Sequence, residues 1–171
     1  IDEGIFEATR EISFSAMFRE RMKNMTEEQR QTRFRNVGDP ERRARYISTY
    51  EEGVESVYVY QGIANYEKMF KTMESDLARG EQWLCGDHFT LGDINLMPFV
   101  ARMEYLDLLD VWTGKRPNTM AWWSRAKARP SFAEAISGKL TADEIAAMKT
   151  HGGKIRDRIA ERRAEYLAQI A

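Results

Sequence analysis

The stretch that decides the fold is WLCGDHFTLGDI, residues 83–94. Gly86 and Asp87 in its middle have the composition of a tight turn. Thr90 stands three residues before Asp93, so the side chain of each can reach the backbone N–H of the other in a capping box. The stretch therefore predicts a turn and then a buried helix beginning at Thr90, with a structural role for Thr90 and Asp93.

The sequence before this stretch also predicts helices. Dense apolar residues without proline predict one long helix over residues 2–23. The Thr-x-x-Gln box at residues 26–29 predicts a short polar helix, and Asp39 followed by Pro40 predicts the start of another. Apolar spacing continues that helix unbroken to about residue 78, with Gly53 and Gly62 inside it interpreted as close-packing points or a kink.

The sequence after the stretch is helical by the same criteria. We expect helices over about 91–106 and 118–128, with a loop through Trp112 and Arg116 between them. Three further signals predict two more helix starts and the separation of the last helix, which ends near Gln169: the boxes Ser131/Glu134 and Thr141/Glu144, and the pair Gly152 and Gly153. No run of short alternating strands is present, so the fold class is all-α.

Composition limits the classes of function. The 171 residues are 43% hydrophobic, which suits a globular domain with a core, and no apolar run approaches the ~20 residues needed to cross a bilayer. Lys plus Arg total 26 and Asp plus Glu total 27, so overall charge gives no reason to expect a nucleic-acid or membrane partner. A single cysteine excludes an internal disulfide framework. We expect a cytoplasmic protein.

Two local patterns are compatible with a binding site, one for a metal ion and one for nucleic acid, but the surrounding residues favour a structural role for each. Cys85 and His88 stand three residues apart, but a zinc site needs about four ligands and the only other histidine is His151. We therefore predict no metal site and expect Cys85 to be a small buried apolar residue. Residues 19–45 are rich in Arg and Lys, but aromatic residues for base stacking are sparse there, so we interpret them as a charged helix surface.

Residues 77–136 carry a resemblance to a known family. Beyond the capping box come several residues in a familiar order: Pro98, Arg102, Leu106, Trp112, Arg116, Pro117, Trp123, Ala128, Arg129 and Pro130. This region resembles the all-helical C-terminal domain of cytosolic glutathione transferases, although Gly92 stands where that family more often has alanine. The resemblance implies a helical domain over residues 1–136, and residues 137–171 are expected to be an appended helical extension packing on it.

The resemblance also implies candidate site residues. In this family the first helix lines the pocket for a hydrophobic electrophile and forms much of a two-fold dimer contact. The implied substrate-binding residues are Phe6, Thr9, Arg10, Ser13, Phe14 and Trp112. Core packing is an equally open interpretation of Phe6 and Phe14. An acidic residue early in the helix often reaches the amine of glutathione, the co-substrate, which makes Asp2 or Glu3 the candidate.

Two functions remain open at this level. The first is the substrate-binding and dimerisation domain of a detoxifying enzyme that conjugates or cleaves electrophiles with glutathione thiolate. The order of the motifs in residues 1–45 is similar to bacterial proteins related to the β-etherases. The family's thioredoxin-like domain, which holds most glutathione contacts and the catalytic residue, has no counterpart here, so we expect a fragment that is inactive alone. The second is a non-catalytic helical scaffold or protein-interaction module of the same fold.

Overall fold

The fold is a bundle of α-helices. The computed structural model describes residues 2–171, with side chains from Gly4 onward, and no strand forms within that range. The all-α prediction is thus confirmed. The helices are α1 (Asp2–Ser13), α2 (Arg19–Lys23), α3 (Glu27–Arg35), α4 (Pro40–Glu52), α5 (Val57–Leu77), α6 (Leu91–Tyr105), α7 (Leu109–Thr113), α8 (Pro117–Lys127), α9 (Pro130–Ala135), α10 (Ala142–Gly153) and α11 (Arg156–Gln169).

The first predicted helix is helical throughout residues 2–23, but a π-helical turn, Phe14–Phe18, separates α1 from α2. Such a turn closes i→i+5 hydrogen bonds and so rotates the faces of the helix that follows it. Ile12 before the turn belongs to the main core of the bundle. Phe14 and Met22 belong instead to a second, smaller cluster with Phe34. The turn therefore marks the change from one apolar cluster to the other.

The prediction of one unbroken helix from Pro40 to about residue 78 is wrong. The chain breaks at Gly53, whose φ of 61° is strained for any residue with a Cβ. The Arg19 side chain donates hydrogen bonds of 2.7 Å to the carbonyl oxygens of both Tyr50 and Glu51, which satisfies the end of α4. Ser56 then starts α5 by accepting a hydrogen bond from the amide of Tyr58 at 3.2 Å. The two helices are thus capped independently.

Gly62 is a close-packing point, as predicted from the sequence for the glycines of this region. A Cβ at Gly62 would lie 3.1 Å from the Cα of Ala8, so the missing side chain lets α1 and α5 approach closely. These two helices, together with the inner face of α6, enclose the main core of the bundle. Tyr66 and Phe70 of α5 stack there beside Trp112 of α7. This close contact sets the distance between α1 and α5.

The capping box at the start of α6 is confirmed. The Asp93 carboxylate accepts from the backbone N–H of Thr90 at 2.9 Å and from the Thr90 hydroxyl at 3.1 Å, and the Thr90 hydroxyl accepts from the amide of Gly92 at 3.2 Å. Asp93 also accepts from the amide of Leu84, which fastens the preceding turn to the helix. Only the inner face of α6 is buried, because Leu91 and Ile94 on its outer face are exposed.

The C-terminal helices match the prediction in part. The Thr141/Glu144 box caps α10 as expected, but Ser131 and Glu134 form no box because the N-cap of α9 is Arg129, two residues before Ser131, and Pro130 is the first helical residue. Gly152 lies within α10 rather than beyond it. Met148 of α10 and Ile159 of α11 join the main core, so residues 137–171 pack on the bundle. The division of the chain at residue 136 stays a prediction.

Candidate functional site

A large open cleft runs between α1, α4, α5 and α6. Its volume is about 1070 Å³. Phe6 of α1 and Ile94, Pro98 and Phe99 of α6 supply apolar surface, and Asn65 of α5 lies between them. The cleft has this shape because Gly62 brings α1 against α5 while the outer face of α6 stays uncovered. A concave surface of mixed apolar and polar character is typical of small-molecule sites.

A second, smaller cavity adjoins the cleft between α1, the loop before α4, and α4 itself. Its volume is about 180 Å³. Eight residues line it: Arg10, Glu11, Phe14, Val37, Arg42, Arg45, Tyr46 and Thr49. Three of them, Glu11, Arg42 and Arg45, also line the large cleft, so these side chains form the boundary between the two spaces.

The substrate-binding residues expected on the first helix divide among three environments. Phe6 is 51% exposed and lines the large cleft. Arg10 and Phe14 line the small cavity. Thr9 faces α5 instead, where its hydroxyl bonds with the Tyr66 hydroxyl at 2.6 Å, and Ser13 is buried. The structure therefore brings Arg10 and Phe14 together, places Phe6 in the neighbouring space, and turns Thr9 and Ser13 toward the interior.

Trp112 requires a correction. It is only 1% exposed, lies on α7 rather than in a loop, and donates its indole N–H to the carbonyl of Ile63 at 3.3 Å. An indole in this position is part of the core and cannot contact a bound molecule. Asp2 and Glu3, the candidates for glutathione contact, lie outside the residues whose side chains the structure describes.

Glu11 is the residue of this region that sequence reasoning missed. It is 3% exposed, and its carboxylate accepts a hydrogen bond of 3.1 Å from the Arg45 guanidinium. Burial raises the pKa of Glu11 to about 7 against the opposing effect of Arg45, and the nearby Glu7 carboxylate adds to the rise. The available signal was its position between Ala8 and Ile12, on the apolar face of α1, where a carboxyl group is unusual.

Arg45 is held by several groups at once. Its guanidinium bonds with the Glu41 carboxylate at 3.0 Å, and it lies 4.7 Å from the centre of the Tyr58 ring. Burial alone would lower the pKa of Arg45, but the hydrogen bonds that it donates to Glu41 and Glu11 outweigh burial and raise that pKa. The arginine is therefore a fixed positive charge between the two cavities.

Cys85 and Gly92 meet beside the helix-starting turn. Cys85 is exposed, contrary to the expectation that it is buried. A Cβ at Gly92 would lie 3.0 Å from the Cys85 sulfur, which is closer than ordinary packing allows. The sulfur therefore accounts for glycine at the position where alanine was more expected. Among residues whose side chains are described, no group of three or more His, Cys, Asp or Glu side chains could hold a metal ion.

Comparisons with known proteins agree with this architecture. The family model described as "Glutathione S-transferase, C-terminal domain" matches residues 29–123. Tetrachloro-P-hydroquinone reductive dehalogenase of Sphingobium chlorophenolicum is 29% identical over 56% of the chain and 41% of that protein. Glutathione S-transferase GstB of Escherichia coli K12 is 30% identical over 41% of the chain and 32% of that protein. Glutathione S-transferase TCHQD of Arabidopsis thaliana is 33% identical over 33% and 21%.

In each of the three relatives the matched segment spans less than half of the relative's own length. No solved structure matches the chain. Within residues 2–171, no helix combines the length and apolar character that crossing a bilayer requires.

Proposed function

This chain belongs to the glutathione S-transferase C-terminal domain family, and from that premise we propose that it is the substrate-binding and dimerisation domain of a glutathione transferase. The full-length protein uses glutathione thiolate to conjugate or cleave an electrophile. A thioredoxin-like domain elsewhere in that protein holds most of the glutathione and the catalytic residue. The helical domain binds the electrophile beside it.

The large cleft is the observation that carries this proposal. Its volume of about 1070 Å³ is that of a roomy small-molecule site, and Phe6 presents a half-exposed aromatic ring in it. An exposed phenylalanine loses contact with water when an apolar molecule covers it, which favours binding by about 25 cal/mol per Å² of buried apolar surface. Of the residues expected on the first helix, we assign substrate contact to Phe6, Arg10 and Phe14, because these three line the two cavities. Asp2 or Glu3 is retained for the glutathione amine.

The dimer is part of the same proposal. Phe6 and Phe18 leave large apolar side chains exposed along the first helical segment. Covering such side chains with a second copy removes them from water, and a two-fold contact buries the same residues on both partners. The similarity of residues 1–45 to β-etherase relatives supports placing the enzyme near that bacterial branch, with detoxification of electrophiles as its role.

The test uses the full-length gene product with glutathione and 1-chloro-2,4-dinitrobenzene. We expect glutathione-dependent consumption of the electrophile, and Phe6→Ala should lower kcat/KM by about tenfold, the cost of losing one aromatic contact of roughly 1.4 kcal/mol. Val57→Ala is the control, because Val57 is exposed to the same degree, at 52%, but lies on α5 away from the cleft and from the exposed face of the first helical segment. Its kcat/KM should stay near that of the parent protein.

Two results would contradict the proposal. A full-length protein that neither binds glutathione nor consumes the electrophile would support the non-catalytic scaffold instead. For the dimer, sedimentation of the chain over a dilution series should show a concentration-dependent rise in mass. A chain that stays monomeric at every concentration removes the dimerisation role.

A further inference from the structure

The small cavity between α1 and α4 has the dimensions of a single aromatic ring. Its volume is about 180 Å³, and an engineered apolar protein cavity of roughly 150 Å³ is large enough to bind benzene. Phe14 and Tyr46 form one wall, with their ring centres 4.9 Å apart in an edge-to-face arrangement. Val37 completes the apolar lining. A flat ring fits this space better than a long chain or a sugar.

The charged lining of the same cavity favours a negative ligand. Three arginines and one carboxyl group line it, so positive groups exceed negative ones even when Glu11 is ionised. Arg10 forms an ion pair with Glu7, and Arg45 is paired with Glu11 and Glu41. Among the described side chains, no carboxylate forms an ion pair with the Arg42 guanidinium, which lies at the opening shared with the large cleft. Within the described part of the chain, Arg42 is thus the arginine of this lining without an ion-pair partner, whereas Glu7, Asp39 and Glu41 line the large cleft beyond it, so a negative group is favoured at Arg42 and disfavoured farther into the cleft.

We infer that this cavity binds the aromatic ring of the substrate, and that the substrates are small aromatic compounds carrying a negatively charged oxygen, carboxylate or phenolate, which pairs with Arg42. The inference rests on the proposed function, since it names the substrate class of that site. The ring lies against Phe14 and Tyr46, and the rest of the molecule extends past Arg42 into the large cleft, where glutathione attack would take place.

Glu11 adjusts the charge of this site. Because burial raises the pKa of Glu11 to about 7, part of the population carries an uncharged carboxyl group there near neutral pH. An uncharged carboxyl does not repel an anion and can donate a hydrogen bond to it. Arg45, Glu7 and Arg10 are the charged groups that act on Glu11. Protonation of Glu11 therefore removes the one carboxylate charge within the lining, while Arg10 and Arg45 keep their ion pairs with Glu7 and Glu41.

The experiment compares benzoate with benzamide, its uncharged counterpart, in titrations of the chain near neutral pH, followed through the backbone amide NMR signals of Val37 and Thr49. Benzoate should bind more tightly than benzamide. Arg42→Gln should weaken benzoate binding about fivefold, the contribution of one exposed ion pair, and leave benzamide unchanged. Arg35→Gln makes the same charge change outside the cavity and should alter neither ligand.

A second variant locates the ligand. Val37→Phe fills the cavity from the loop before α4 and should abolish the binding of both ligands. The inference is overturned if benzoate binds no better than benzamide, if Arg42→Gln acts no differently from Arg35→Gln, or if Val37→Phe leaves binding intact. The titrations contain no glutathione. A protein that consumes electrophiles but fails here loses only the assigned substrate class, whereas one that binds benzoate but shows no glutathione-dependent turnover loses the proposed enzyme activity.

Discussion

The indole N–H of Trp122 donates a 2.8 Å hydrogen bond to the carboxylate of Asp93, and both side chains are fully buried. Asp93 therefore joins three parts of the chain: its own helix α6, the turn at Leu84, and α8, which carries Trp122. A buried carboxylate with four donors around it is satisfied only while all of them stay in place. This aspartate does more than cap a helix.

Replacing Asp93 should be far more costly than replacing the acidic residue of an exposed box. Asp93→Ala leaves the Trp122 and Leu84 donors buried without a partner, and we expect a loss of roughly 3 kcal/mol in the free energy of unfolding, measured by urea denaturation. Glu144→Ala is the matched control, because Glu144 occupies the same position of an exposed box and its loss should lower the free energy of unfolding much less. Equal losses would show that Asp93 acts only locally.

Gly152 and Gly153 are neighbours on α10 with opposite expected responses to alanine. A Cβ at Gly152 would lie 1.8 Å from the carbonyl oxygen of Leu106, so Gly152→Ala must push α10 away from the end of α6. We expect the melting temperature to fall by several degrees, for a cost of about 2 kcal/mol. Gly153 has no atom within 4 Å of such a Cβ, and Gly153→Ala should stabilise by up to about 1 kcal/mol. A neutral Gly152→Ala would contradict the close contact.

Arg163 should contribute more to stability than the neighbouring Arg158. Arg163 of α11 bonds at 2.7 Å with Glu67, which is 4% exposed and also pairs with Arg116. Burial alone would raise the pKa of Glu67, but hydrogen bonds from the two arginines outweigh it and hold the pKa below its ordinary value. We expect Arg163→Gln to cost about 2 kcal/mol because it leaves a buried carboxylate short of one partner.

Arg158 supplies the matched control for this change. It pairs with Glu55, Glu161 and Glu165 at the surface, so Arg158→Gln should lower the free energy of unfolding, measured by urea denaturation, much less than Arg163→Gln does, despite the larger number of partners. Hydrogen exchange of the α11 amides should quicken in the Arg163 variant and change little in the Arg158 variant. The reverse order would mean that α11 is held by its surface pairs.

Glu11 should make stability depend on pH. Its pKa is about 7 in the folded chain and ordinarily 4.5, so between these values the folded state keeps a proton that the unfolded state releases. The free energy of unfolding therefore falls as pH rises through this window, by a total on the order of 3 kcal/mol. Glu11→Gln removes the effect, so its stability relative to the parent chain should improve from about pH 5 to about pH 8.

A control separates this effect from general titration of the chain. Glu28→Gln changes an exposed glutamate of α3 and should keep the pH dependence of the parent chain. Parallel curves for the parent and Glu11→Gln would show that the carboxyl of Glu11 titrates as it does in the unfolded state. That result would also remove the support that Glu11 gives to anion binding.

The helix starts show how far local sequence determines this fold. The boxes at Thr26, Thr90 and Thr141 were predictable because each depends on residues only three apart. Ser131 has the same pattern but caps no helix, because Pro130 just before it already has the backbone angle of a first helical residue and makes Arg129 the N-cap. Where two possible helix starts lie next to each other, the backbone dihedral angles decide between them, and a rule based on residue spacing does not include those angles.

The features that sequence did not predict depend on residues far apart in the chain. The break at Gly53 is stabilised by Arg19, more than thirty positions earlier in the chain. The spacing of apolar residues cannot predict such a contact, because it reports only on residues a few positions apart. The same holds for the small cavity, where α1 contributes Glu11 and α4 contributes Arg42. Trp112 was misplaced for the opposite reason, because an aromatic residue suits a pocket wall and a core equally well until its neighbours are known.

The ion pair between Arg163 and Glu67 joins residues 96 positions apart, which has a consequence for biosynthesis. A chain made from its N-terminus exposes Glu67 long before Arg163 has been added, and a contact this distant closes late because of its loop entropy. Until α11 is complete, the nascent bundle must hold the Glu67 carboxylate with Arg116 alone. Ribosome-bound chains ending before residue 163 should therefore be looser around α5 than chains that include α11, because the second arginine partner of Glu67 is then missing.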